Sequence, residues 1–440
     1  APPAAGRSRG SAASVSSGGE AWGAPGGHDS GGLGPGAHES SFSQAMFNSV
    51  NILLGVGLLS VPYALAEGGW SALGVLGLLG ATTNYTGKAI VRCMNAPLGP
   101  LPPEGTAERR EALLAGRPLT SYEAIGERAF GEYGRGFITA VLYTELVGTC
   151  GLFFILAGDH LAELSGHAHS SQWFMLASAA LMVPTTWLAD LSSLSYIGLL
   201  GTAATALLAG VIGWEFAHAA PGSLPELAAH TEALHGQTFP LTFGLLAFVF
   251  AGHAVFPNIY LSMEEPDRYP ELLDRTYAVV GAACLAVGAM GYLLYGPNVS
   301  EEVTLNLPSG TLSTVALAAI VINPFAKFAL TLDPVARGVE RWAGLDAAGE
   351  GKGAARASRT ALSLGALGLA TSVPYFGVVM SLIGSFMTLT VSVVFPSLCL
   401  LRICGDDLGD GEKALNWGVV VLGGACAASG TVAALQSLQP

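Results

Sequence analysis

Apolar residues in this chain are gathered into long blocks of about 20, each separated from the next by a polar or glycine-rich stretch. A helix of that length crosses about 30 Å of hydrocarbon. Eleven blocks run over 44–66, 70–93, 135–158, 171–189, 194–214, 240–263, 275–296, 311–333, 359–375, 377–401 and 415–436. Apolar on all sides, such helices must face lipid or one another, so the pattern predicts an all-α polytopic membrane protein. Very short turns separate 171–189 from 194–214, and 359–375 from 377–401. Residues 1–42 are almost free of large apolar side chains and are expected to be a disordered tail. The transmembrane domain is expected over 43–438, and no cleavable signal segment is visible.

Composition agrees with this reading. The chain is 51% hydrophobic and 12% charged, whereas a soluble domain carries about 25% charged residues. Charge also orients the helices, because basic residues near helix ends stay cytoplasmic. All 19 Lys and Arg fall in the N-terminal tail, 88–135, 264–275, 327–359 or 402–413. The alternate loops 159–170, 215–239 and 297–310 have none, and carry Asp159, Glu163, Glu215, Glu226, Glu232, Glu301 and Glu302. The expected topology therefore has a cytoplasmic N-terminus and a lumenal C-terminus. The net charge of −13 averages a basic inner face with an acidic outer one, and no basic stripe suggests nucleic acid. The six cysteines lie in spans or on the inner side, without metal-ligand spacing. Asn298-Val299-Ser300 is a glycosylation pattern in an outer loop, whereas Asn84-Tyr85-Thr86 matches it inside the second span, where a chance match is the simpler reading.

Helix breakers interrupt two of the blocks at mid-depth. The first contains Asn51, Leu54, Gly55, Val56, Gly57 and Leu58, followed by Pro62. The sixth contains Phe250, Ala251, Gly252, His253 and Pro257. Glycine and proline are common in membrane helices, but these two spans are the corresponding members of halves 1–5 and 6–10. Matching breaks in oppositely oriented halves point to an inverted-repeat transporter with its substrate at the breaks. Free amides near Gly57 and Leu58 suit a carboxylate. Free carbonyls of Leu54, Gly55, Phe250 and Ala251 suit a cation or an α-ammonium. Together they complement a zwitterionic amino acid.

These residues resemble the amino acid/auxin permease family, in its vacuolar and vesicular amino acid transporter branch. The similarity lies in Phe47 to Trp70, in Phe250 to Tyr260, in Glu145, in Lys327 to Leu332, and in Leu382 to Ser385 with Phe395 to Cys399. It implies a LeuT-type fold of eleven helices, a 5+5 inverted repeat with broken helices 1 and 6 plus one further C-terminal helix. It also implies proton-coupled amino acid transport, with a vacuolar or other endomembrane location. Asp333 stands where that pattern has an uncharged residue.

Three ionisable groups fall within spans, where a charge costs on the order of 2.5–3.5 kcal/mol on insertion scales. Glu145 reads either as a proton carrier or as a neutral acid hydrogen-bonded across helices. His253 reads either as a proton carrier or as a neutral imidazole capping the unwound segment. Lys327 reads either as a snorkelling side chain or, with Thr331, as a substitute for the sodium ion held by related folds. Asn51, Thr331 and Thr388 can each line the cavity or make ordinary interhelical hydrogen bonds. No P-loop, GxSxG or HExxH motif is present, so neither an enzyme nor a cofactor is expected, and a proton gradient supplies the drive. A Na⁺-coupled or organic-acid carrier of the same fold, and an amino acid sensor, stand as alternatives.

Overall fold

The computed structural model describes residues 40–96, 119–188, 192–219, 228–345 and 352–438. Most of the expected tail and the segments 97–118, 189–191, 220–227 and 346–351 lie outside the described residues. Among the described residues the structure is all helical apart from an isolated bridge between Ser40 and Met263. The chain enters through α1 (Phe42–Leu53), a 3-10 turn (Val56–Ser60) and α2 (Val61–Gly68). There follow α3 (Ala72–Met94), α4 (Tyr122–Leu164), α5 (Ser171–Thr185) and α6 (Ser192–His218). Next come α7 (Phe239–Val249), α8 (Phe256–Ser262), α9 (Tyr269–Tyr295) and α10 (Thr311–Trp342). The chain ends with α11 (Lys352–Ser372), α12 (Phe376–Leu382), α13 (Phe395–Ile403) and α14 (Asp410–Gln436). Six helical stretches among the described residues are each long and apolar enough to cross a membrane.

Local chemistry explains where helices start. Pro62, Pro240, Pro257, Pro270 and Pro396 each stand second in their helix, where a missing N–H is not needed. Ser41 caps α1 with a reciprocal Gln44 pair: Ser41 N donates to Gln44 Oε1 at 3.0 Å, and Gln44 N donates to Ser41 Oγ at 3.4 Å.

Helix bounds depart from the apolar blocks in several places, and two of these departures bear on the site. The helix over Tyr122–Leu164 begins well before the expected 135, because Gly131 takes φ 67° and joins a short preceding segment to the main helix through a kink. The block 377–401 is not a plain α-helix: Ile383–Thr388 and Thr390–Val394 are π-helical. A wider π turn misaligns successive backbone carbonyls with their amides, and two of these carbonyls take side-chain partners. Tyr122 donates to Val391 O at 2.6 Å and Thr86 donates to Ser392 O at 2.6 Å.

Loops gather into two sets. In one, Ser60 donates to Glu301 O, Trp70 N to Glu232 O, Thr238 to Glu67 O and Gly377 N to Glu301 Oε2. In the other, Lys88 pairs with Asp274, Arg92 with Glu412, and Ser40 N bonds Ser262 O. Asp333, unexpected from its surroundings in sequence, is held in an ion-pair network of its own. It accepts from Arg337 Nε at 2.6 Å and from Arg359 Nη1 at 3.1 Å, while Arg359 also forks onto Glu340 at 2.7 and 3.2 Å and donates to Thr186 O. A buried carboxylate is tolerable when so fully paired.

Candidate functional site

Both interruptions are present. At the first, α1 stops at Leu53. Leu54 takes φ −79°, ψ 61° and Gly55 φ −99°, ψ −147°, and the chain resumes in a 3-10 turn. A helical segment restarted this way leaves its first amides without internal acceptors, which here are those around Val56 and Gly57. At the second, α7 stops at Val249 and α8 begins at Phe256, with Phe250–Val255 held by short turn bonds such as Gly252 N to Phe250 O at 2.9 Å.

The breaks lie against each other. A Cβ added to Gly57 would sit 3.1 Å from Val249 Cα, and one added to Gly252 would sit 2.8 Å from Leu53 Cδ2. Val56, Gly57, Leu58, Phe250, Gly252 and His253 are buried; Leu54, Gly55 and Ala251 are half-buried. The unwound backbone is thus enclosed by protein, the condition under which it survives at membrane depth. A separate groove of about 520 Å³ on the flank of α14, lined in part by Pro240, Ala428 and Val432, includes no residue of either break.

His253 lies at the centre of the second break, and its ring points toward α3. Nε2 is 3.1 Å from Thr83 O and 3.0 Å from Thr86 Oγ1. Nδ1 comes near the Phe250 carbonyl but makes no hydrogen bond of good geometry. Phe250 stacks on Tyr277 with centroids 5.5 Å apart, which closes the far wall.

Glu145 is also buried, and it accepts a 2.5 Å hydrogen bond from Thr388 in the π-helical stretch. Asn51 accepts from Thr202 on α6 through Oδ1 at 2.5 Å, a helix–helix contact. Its carbonyl meets Lys327 Nζ at 3.5 Å, and a Cβ on Gly55 would lie 3.8 Å from the same ammonium. Lys327 therefore reaches into the first break and does not snorkel to the membrane edge: the carbonyls left free where α1 ends attract its charge. Thr331, one turn further along α10, is half-buried.

Sequence reasoning missed a buried set beside Ser60. His160 Nδ1 is 3.1 Å from Glu302 Oε2 and Nε2 is 2.7 Å from Thr304 Oγ1; His160 and Glu302 are respectively 0% and 1% exposed. The only available signal was a histidine near the end of an apolar block. Glu301, in the loop between α9 and α10, caps Gly377 N at 2.9 Å. Burial pushes its carboxyl above the usual range, and neighbouring Glu302 adds to this. The folded state then binds this proton more tightly than the unfolded chain, so the stabilisation is complete below the unfolded value near 4.3 and is lost as pH rises through the folded one. Glu301→Gln is expected to match the wild-type melting temperature in acid and to exceed it increasingly toward pH 8. A gap that widens toward low pH would contradict this.

Comparison with known proteins agrees with the geometry. Residues 38–436 match the family model described as transmembrane amino acid transporter protein. Amino acid transporter AVT1B of Arabidopsis thaliana is 33% identical over 414 residues, covering 91% of this chain and 72% of the relative. Amino acid transporter AVT1C of the same plant is 34% identical over 426 residues, covering 92% and 71%. Among solved structures, MhsT in complex with L-phenylalanine superposes with a TM-score of 0.56 at 13% identity, over 89% of this chain and 98% of that one. That likeness establishes a shared fold.

Proposed function

The chain belongs to the transmembrane amino acid transporter family, and from that premise we propose that it carries an amino acid by alternating access, driven by a proton gradient. The observation that carries this reading is the contact between two unwound segments, Gly57 against Val249 and Gly252 against Leu53. Substrate carboxylate binds the amides of Gly55 to Gly57; the Leu58 amide, expected to be free, instead donates to Gly55 O at 3.3 Å. Substrate ammonium binds carbonyls of the Phe250–Ala251 turn. The spans form a 5+5 inverted repeat with an eleventh helix, and the bundle rocks about the paired breaks. Asn51 anchors α1 to α6 at the edge of this site.

Proton coupling is favoured over sodium by Lys327. Its ammonium occupies the carbonyl end of the first break, where a cation would otherwise be held. Glu145 and His253 are the two groups placed to exchange a proton. The segregation of Lys and Arg supports a cytoplasmic N-terminus and a lumenal C-terminus; the vacuolar or other endomembrane location rests on family likeness.

Uptake into proteoliposomes tests this directly, with separately imposed pH and Na⁺ gradients and a panel of the twenty amino acids at two lumenal pH values. A pH gradient alone is expected to drive accumulation of a subset of the panel. Accumulation driven by Na⁺ alone would overturn the coupling assignment. Binding without flux would make the protein a sensor.

A further inference from the structure

We propose that Thr86 is a positioning residue for His253, holding the ring as its Nε2–H form and tying it to the π-helical stretch that also holds Glu145. The proposal rests on the proton-coupled reading above, and deepens it.

Counting protons at Thr86 fixes the tautomer of the ring. A threonine hydroxyl has one proton to donate and lone pairs to accept. Thr86 Oγ1 lies 2.6 Å from Ser392 O, closer than to the carbonyls of its own helix, Thr82 O at 3.0 Å and Thr83 O at 3.2 Å. Its proton goes to Ser392 O, and its lone pairs remain to accept from His253 Nε2 at 3.0 Å. Thr83 O, 3.1 Å from the same nitrogen, can only accept. Two acceptors on one ring nitrogen fix the hydrogen there. In the neutral ring Nδ1 is then bare, buried, and placed beside the unwound Phe250 turn without a hydrogen bond. A proton arriving at the ring adds to the Nδ1 lone pair while Nε2–H stays in place, and the resulting N–H can donate to the Phe250 carbonyl.

The π stretch completes the link. Ser392 follows Thr388 by four residues, and Thr388 donates to Glu145 Oε1 at 2.5 Å. The ring at the second break and the carboxyl on α4 therefore hold the same short helical element, one through a backbone carbonyl and one through a hydroxyl. Tyr122 on α4 fixes the adjacent Val391 carbonyl. Tyr277 on α9, packed on Phe250, and Tyr122 are further titratable side chains beside this link. A shift of the π stretch changes the setting of both proton-exchanging groups together, which makes Thr86 and Thr388 the two ends of one coupling.

The test is the pH profile of uptake in proteoliposomes for Thr86→Val and Thr86→Ser. Valine keeps the shape but removes the acceptor that the doubly protonated ring needs. Its half-maximal uptake is expected to move to more acidic pH by about one unit, a tenfold change in apparent proton affinity, whereas serine retains the wild-type midpoint. Thr86→Cys, with a weaker acceptor, should move the midpoint in the same direction by less, and serves if the valine variant does not reach the membrane. In Thr86→Val/Thr388→Val the shifts should fail to add. A purely structural role would lower transporter yield and leave the midpoint alone. A wild-type midpoint in both Thr86→Val and Thr86→Cys would overturn the inference alone. A wild-type protein with no pH midpoint at all would overturn the proton-coupled reading with it.

Discussion

Replacing Gly384 with alanine is expected to abolish recovery of folded transporter, the largest stability effect that the structure implies for a single methyl group. A Cβ at Gly384 would lie 1.9 Å from Gly244 O, and one at Gly244 would lie 2.1 Å from Ser381 O. Both obstacles are backbone, so no side-chain rotation relieves them. α7 and the π stretch would have to separate. Overpacking of a core typically costs about 1–3 kcal/mol, and more where the obstacle is rigid. The separation would also pull the second break, which begins six residues after Gly244, away from the first. Gly74 and Gly77 on α3 provide the control, since a Cβ there meets nothing within 4 Å. Alanine at those positions should preserve or raise the melting temperature, since glycine in a helix interior costs about 1 kcal/mol relative to alanine. Fluorescence-detected size exclusion and thermal melts in detergent would make the comparison. A monodisperse Gly384→Ala protein with wild-type melting would show that this interface has slack.

How much of this was legible in the sequence depends on whether the cause was local. The breaks were readable because Gly55, Gly57, Gly252 and Pro257 are themselves the reason the helices stop. The long apolar blocks were readable because lipid imposes their length. The π stretch was invisible: Ile383 to Val394 contains no proline, and its acceptor-rich geometry is met by Tyr122 and Thr86, far away in sequence. Thr86 itself looked like part of a chance glycosylation pattern. Lys327 left two readings open in the sequence, a snorkelling side chain or a substitute for a sodium ion, and only the fold shows its ammonium turned to Asn51 O. Asp333 looked out of place because one of its two partners, Arg359, lies on the next helix. Glu302 read only as one of the acids of an outer loop, while the structure buries it on His160.

Glu145→Gln is expected to reduce pH-driven accumulation to background while leaving substrate exchange intact. The glutamine side chain has the same shape, and its Oε1 can still accept from Thr388, so the link from α4 to the π stretch survives. What disappears is the exchangeable proton. The new amide N–H groups are buried where the carboxyl was, at a cost of about 1–3 kcal/mol if one is left unsatisfied; a modest fall in melting temperature should accompany the variant. Thr388→Val is the complementary change. It removes the hydrogen bond and keeps the carboxyl, so accumulation should persist with a displaced pH midpoint. Counterflow, which needs binding and rocking but no net proton movement, separates the two failures: a variant that exchanges but does not concentrate has lost its drive, and one that does neither has lost its site. If Glu145→Gln continued to concentrate substrate on a pH gradient, the proton would have to travel on His253. In that case Glu145 would be what its 2.5 Å contact with Thr388 already resembles, a neutral acid pinning two helices together.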